Sequence, residues 1–204
     1  LIKRAVKEIQ KTSSQIKTFV TLSPIPAFRN WLEMQLHLAL DPHGKYSRFS
    51  PITGRDQLLL DQEIAELCAL VSRKADYSTA LVEFQSVLQE NKWIHDQKFS
   101  VILKKILMRL CSSYILLEKK RTFALDPVAN FHIRNGASVC QLNWMGDISE
   151  KGMSQSYGIM INYLYDLASI ETNHEMYTTR GVISLHDKNG DFGWAANEGI
   201  ANEK

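Results

Sequence analysis

The stretch from Ile16 to Trp31 changes its hydrophobic period midway, and that change constrains the fold more than any other part of the chain. Ile16, Thr18, Val20 and Leu22 alternate with Lys17, Phe19 and Thr21 and are rich in β-branched side chains, which predicts a strand of about seven residues. Pro24 and Pro26 cannot donate to a sheet ladder, but proline suits the first turn of a helix. Phe28, Trp31, Leu32, Gln35 and Leu36 then follow at helical spacing, predicting a helix over Pro26 to Leu40. Ser23 therefore stands at the carboxyl end of a strand and the amino end of a helix. In open α/β sheets ligands collect at such a place, because free backbone N–H groups and the helix dipole face an anion there. A plain helix N-cap explains the same serine without chemistry.

The rest of the chain reads as helices followed by short strands. Ile2, Val6 and Ile9 oppose Lys3, Lys7 and Lys11, an amphipathic helix whose basic face is either solvated or turned to phosphates. Asp41 to Gly54 is loop-like. Three stripes at helical period follow: Leu60 to Val71, Ala80 to Leu88, and Phe99 to Tyr114 over more than four turns. These stripes are core, and Cys68 and Cys111 within them read as small buried hydrophobes. Asp126-Pro127 interrupts the helical pattern, and an extended Val128 to Arg134 would put Asn130, His132 and Arg134 on one face. Asn135-Gly136 is a turn signal, and Cys140, Leu142 and Trp144 alternate after it, so a β-hairpin is expected here. Gly146 to Ser156 reads as a loop or short helix, and Ile159, Ile161, Tyr163 and Tyr165 as a last strand. Beyond Thr172 the pattern weakens, Lys188 to Asp191 looks like a turn, and the remainder reads as poorly ordered.

Composition narrows the function classes. With 24 basic against 22 acidic side chains the overall charge argues against a dedicated nucleic-acid binder. No apolar run reaches the length of a membrane span, so no membrane role is expected. Cys68, Cys111 and Cys140 have no CxxC spacing and cannot all pair, which favours a reducing, intracellular compartment. The first residue is Leu1, so a piece of a longer protein is expected. The six histidines lack metal-ligand spacing, and there is no P-loop and no GxGxxG. Leu22-Ser23-Pro24 makes a poor nucleophile elbow, because Pro24 has no N–H for an oxyanion hole. Ser23 fits a hydrogen-bonding role better than a covalent one. His132 reads as either a proton carrier or a structural histidine, and Tyr163 and Tyr165 as core or rim aromatics.

Six blocks then carry a resemblance: Leu1-Ile2-Lys3-Arg4, Thr21-Leu22-Ser23-Pro24-Ile25-Pro26, Leu107-Met108-Arg109-Leu110-Cys111, Asn130-Phe131-His132-Ile133-Arg134-Asn135-Gly136-Ala137, Asn143-Trp144-Met145 and Asn162-Tyr163-Leu164-Tyr165-Asp166. In this order they resemble the carboxy-terminal catalytic domain of the malonyl-CoA decarboxylases over roughly residues 1 to 180. The resemblance implies an α/β, GNAT-like mixed β-sheet with flanking helices and a helical insertion at about 42 to 120, followed by a divergent tail over 181 to 204. It implies Ser23 and His132 as the catalytic pair, with Tyr165 and Asn130 joining them in substrate binding. It also implies a parent protein that forms homo-oligomers through regions this chain lacks.

The implied reaction is loss of carbon dioxide from malonyl-CoA, which leaves an enolate with the thioester carbonyl as electron sink, so the resemblance implies no metal or organic cofactor. On this reading His132 protonates the enolate carbon. Ser23, with backbone N–H groups near Ala27 and Phe28, holds the carboxylate or the thioester oxygen, although a proton-accepting role for Ser23 stays open. The CoA pyrophosphate would sit at the Pro26 helix terminus with Lys3, Lys7 or Lys17. A GNAT-type acyltransferase and an inactive CoA-binding remnant are the alternatives.

Overall fold

The computed structural model describes residues 2–13, 15–52, 57–90 and 92–192. Among these the chain runs α1 Ile2–Thr12, β1 Val20–Pro24, α2 Phe28–Leu40, α3 Asp61–Leu70, α4 Tyr77–Glu90, α5 Gln97–Leu116, β2 Lys119–Lys120 and β3 Phe123–Ala124. It continues through α6 Pro127–Arg134, β4 Ser138–Asn143, α7 Glu150–Ser156, β5 Met160–Leu164 and α8 Ile170–Arg180. The architecture is α/β, and the chain divides into two compact units, Leu1–Phe28 with Cys111–Lys204, and Arg29–Leu110.

The first unit is built on a three-stranded sheet in the order β1-β5-β4 with antiparallel ladders. The Val139 N–H donates to the Ser184 carbonyl and the His186 N–H to the Val139 carbonyl, a parallel bridge that makes the sheet mixed. Ile161 and Tyr163 of β5 alternate inward with Val139 and Leu142 of β4, all buried, as the period-two pattern of the last strand requires. β1 lies further along the chain than the alternation from Ile16 indicated, and it includes Ser23 and Pro24. Its ladder runs to β5 alone among the described residues. An edge strand accepts proline, because the missing N–H can face away from the partner strand.

The largest departure is the segment 127–134, expected as one arm of a hairpin and found as helix α6. Asp126 is its N-cap: Oδ1 accepts from the N–H groups of Val128 and Ala129, each at 2.9 Å. Pro127 occupies the first turn, where its missing N–H costs nothing. The Asp-Pro pair read as a breaker is thus a start signal. Residues two apart on a helix lie about 200° around the axis, so Asn130 and His132 do not share the face that an extended chain would give them. Ala129, His132 and Ile133 are buried together, and Phe131 is exposed. Gly136 ends the turn after α6 at φ 83°, where a Cβ would overlap the Ile170 carbonyl oxygen, so only glycine lets the chain pass α8 here. β4 then pairs with β5 instead of folding back on the expected arm.

Helix α8 lies where the sequence pattern faded. Ile170 and Tyr177 are its only two buried residues, too sparse a stripe to read as a period. After it, the Asp187 carboxylate accepts from the N–H groups of Asp191 and Phe192 and forms the turn expected near Lys188. Phe192 is fully buried, so the start of the expected tail is packed. The expectation for its end falls on 193–204, outside the described residues.

In the second unit the expected stripes are core: Leu67 and Cys68 on α3, Ala80, Leu81, Phe84 and Leu88 on α4, and Leu103, Ile106, Leu107 and Leu110 on α5 are all buried. Amid them lies an ion pair that the sequence reading did not find. Arg109 Nε and Nη2 meet the two oxygens of Glu63 at 2.6 Å each, and Nη2 also donates to the Leu58 carbonyl at 2.9 Å.

Candidate active site

Thr21 and Ser23 are two apart on β1, so their side chains share one face of the strand. That face looks toward α6. Ser23 Oγ lies 3.1 Å from His132 Nε2 and 3.1 Å from Thr21 Oγ1. On the other side of the ring, His132 Nδ1 lies 2.7 Å from the hydroxyl of Tyr165, one residue beyond the end of β5. Four side chains from a strand edge, a helix and a strand end thus form one continuous chain of polar contacts.

The ring of His132 is held as firmly as its nitrogens. Tyr163 stacks on the imidazole with centroids 4.4 Å apart and an interplanar angle of 16°, and Phe131 meets it edge-on at 5.1 Å. Asp126 anchors the helix that carries it. The buried carboxylate accepts from Val128 and Ala129 at the start of α6, from the Tyr114 hydroxyl at 3.4 Å, and from the Ala27 N–H. Burial raises its pKa against these hydrogen bonds, which pull the other way.

Electrostatics select the protonation state of the histidine. Ser23 is 5% and His132 8% exposed, and burial pushes the His132 imidazole down to about 4, so the ring is neutral near pH 7. Burial also pushes the Tyr165 hydroxyl up, keeping it protonated. The folded value of His132 lies below the ordinary 6.5, so between about pH 6.5 and about 4 the unfolded chain binds more protons than the folded one. The contribution of His132 is therefore fully present above this window and declines as pH falls through it. Denaturant midpoints at pH 7 and pH 4.5 are expected to differ more for the native sequence than for His132→Gln; equal differences would contradict a neutral buried imidazole.

The structure brings Ser23, His132 and Tyr165 together and leaves Asn130 apart. Asn130 Oδ1 accepts from the Tyr177 hydroxyl at 2.9 Å, and that hydroxyl in turn accepts from the Ala124 N–H, tying α6 to α8. Ser23 is not an N-cap, since it lies within β1. The backbone donors expected at the start of α2 are engaged: the Ala27 N–H by Asp126 and the Phe28 N–H by the Ile25 carbonyl at 3.4 Å. Lys7 lies 3.8 Å from Glu171 on α8, Lys17 is exposed, and the Lys3 side chain lies outside the described residues. Thr21 escaped the sequence reading because the strand was placed too early; a strand drawn through Ser23 would have aligned the two hydroxyls.

Such a site can deliver a proton from a neutral imidazole and offer a hydroxyl to a developing negative charge. It is not built as a hydrolytic triad, since a phenol rather than a carboxylate backs the histidine and a proline follows the serine. Residues 1–188 match the family model described as the malonyl-CoA decarboxylase C-terminal domain. The mitochondrial malonyl-CoA decarboxylases of the goose Anser anser anser and of Mus musculus are each 39% identical over 177 residues, 87% of this chain but only 32% and 33% of those proteins. The crystal structure of malonyl-CoA decarboxylase from Rhodopseudomonas palustris superposes with a TM-score of 0.70 at 35% identity, covering 95% of this chain and 37% of that one. That from Agrobacterium vitis gives 0.69 at 31%, covering 95% and 39%. The chain spans about a third of the length of the curated relatives it matches, and on the family match it belongs to the malonyl-CoA decarboxylase C-terminal domain family.

Proposed function

We propose that the parent protein converts malonyl-CoA to acetyl-CoA and carbon dioxide, as a carboxy-lyase of fatty-acid metabolism, and that the reaction runs at Ser23 and His132. The observation that supports this reading most is the buried chain from Ser23 through His132 to Tyr165. Breaking the bond to the carboxylate leaves its electron pair in the thioester enolate, and the carbon must then take a proton. His132 supplies it from Nε2, since an enolate carbon is a stronger base than the ring. Tyr165 donates to Nδ1 and stabilises the charge that gathers on the imidazole as its proton leaves. Solvent restores the proton after the product departs.

Because the Ala27 and Phe28 N–H groups have partners, stabilising the thioester oxygen falls to the Ser23 hydroxyl. A hydroxyl hydrogen rotates freely about its bond, so it can turn from Thr21 to the substrate. Asn130 acts by holding α6 in place through Tyr177. Ser23→Ala is therefore expected to lower kcat by about 10² to 10³, the usual effect of removing one such donor. The deciding assay measures carbon dioxide release from malonyl-CoA by this chain and by its full-length parent, with products identified by mass spectrometry in the presence and absence of amine acceptors. Acetyl-CoA with equimolar carbon dioxide supports decarboxylation; an acylated amine without carbon dioxide would replace it with acyl transfer.

A further inference from the structure

The four-membered chain has a direction, and Thr21 sets it. Each of its links is a hydrogen bond that can point either way: Thr21 Oγ1 to Ser23 Oγ, Ser23 Oγ to His132 Nε2, and His132 Nδ1 to the Tyr165 hydroxyl. A neutral imidazole carries one N–H. If it is on Nδ1, it donates to Tyr165, Ser23 donates to Nε2 and Thr21 donates to Ser23. The Tyr165 hydrogen then needs another acceptor. Tyr165 is 2% exposed, and among the described residues its hydroxyl has no hydrogen-bond partner besides His132. A buried donor left in that state loses its hydrogen bond to water and gains none in return. If the hydrogen is on Nε2, every link is made: Tyr165 donates to Nδ1, Nε2 to Ser23, and Ser23 to Thr21. The one spare hydrogen then belongs to Thr21, which is half-exposed and can meet water.

We infer that Thr21 is a positioning residue, its Oγ1 accepting the Ser23 hydrogen and so fixing His132 in the Nε2–H tautomer. Its effect on turnover rests on the proposed decarboxylation, whereas its effect on the tautomer does not. The direction matters for chemistry, since it places the transferable proton on the nitrogen beside Ser23 and leaves the serine oxygen accepting until substrate arrives. Asn162 Nδ2 donates to the Thr21 carbonyl at 2.7 Å and Asn143 Nδ2 to Asn162 Oδ1 at 2.8 Å, so Thr21 is braced from the far side of the sheet. Its hydroxyl is thereby held under Ser23.

The test reads the tautomer directly. In protein labelled with 15N-histidine at pH 7, the His132 ring, identified by its loss in His132→Gln, is expected to show a protonated-type Nε2 shift and an unprotonated-type Nδ1 shift. Thr21→Val keeps the β-branched shape and removes the acceptor, and it should yield a mixture of both tautomers; Thr21→Ser should restore the single Nε2–H form. In turnover with malonyl-CoA, Thr21→Val is expected to lose about tenfold in kcat with KM unchanged, the usual scale of one hydrogen bond. An Nδ1–H tautomer in the native sequence, or an unaltered ring in a folded Thr21→Val, overturns the inference. If the shifts are as expected but the native protein releases no carbon dioxide, the tautomer assignment stands and the proposed reaction falls.

Discussion

Replacing His132 with asparagine is expected to lower carbon dioxide release from malonyl-CoA by about 10² to 10⁴, the range for losing a positioned proton donor. Asparagine fits the helix and keeps an amide, but an amide N–H does not deliver its proton to carbon. The loss should appear in kcat and kcat/KM alike, because the missing interaction exists only in the transition state. Part of the ring packing goes too, since Tyr163 lies flat against the imidazole, and such a pair is worth about 0.5 to 1.5 kcal/mol. Circular dichroism and a denaturation midpoint must therefore accompany the rate. A folded His132→Asn that releases carbon dioxide within threefold of the native rate would move proton delivery to another group.

The second large effect concerns stability and lies away from the site. Arg109→Met leaves Glu63, 9% exposed at its side chain, without the bidentate partner it meets at two 2.6 Å contacts. Breaking one half of a buried pair typically costs about 3 to 5 kcal/mol, because the remaining charge stays out of water. The loss should show as a lower urea midpoint for the Arg29–Leu110 unit. Joint replacement, Glu63→Leu with Arg109→Met, removes both desolvated charges and is expected to recover most of it, less the cap that Glu63 provides by accepting from the Leu60 N–H at 2.9 Å. The exposed pair of Lys105 and Glu66 at 3.4 Å provides the contrast: Lys105→Ala should cost less than about 1 kcal/mol. Equal costs for the two pairs would show that burial does not govern them.

How much of the molecule was readable depended on whether the signal was local. The helices of the second unit followed from periodicity, since a residue that recurs every 3.6 positions reports which side of its own helix is dry. The last strand followed in the same way from Ile161 and Tyr163. Asp126-Pro127 was ambiguous, because the pair fits both the end of one helix and the start of another. The tertiary environment decided it by burying the carboxylate against Tyr114 and Ala27. Glu63 and Arg109 were unreadable as a pair, since a charge on an apolar stripe does not announce its partner 46 residues away.

By itself the sequence determined the class of fold and the helical stripes, and its blocks of resemblance singled out Ser23 and His132 as the pair proposed to act. Only the tertiary structure decided that His132 rides on a helix rather than a strand, that Asn130 faces Tyr177, and that Thr21 and Tyr165 close the two ends of the hydrogen-bonded chain. The physical reason is that periodicity encodes how much of an element is hidden from water, while the partner of each hidden polar atom depends on which elements pack against one another. Ser23 and His132 are 109 positions apart, and no local pattern spans that distance.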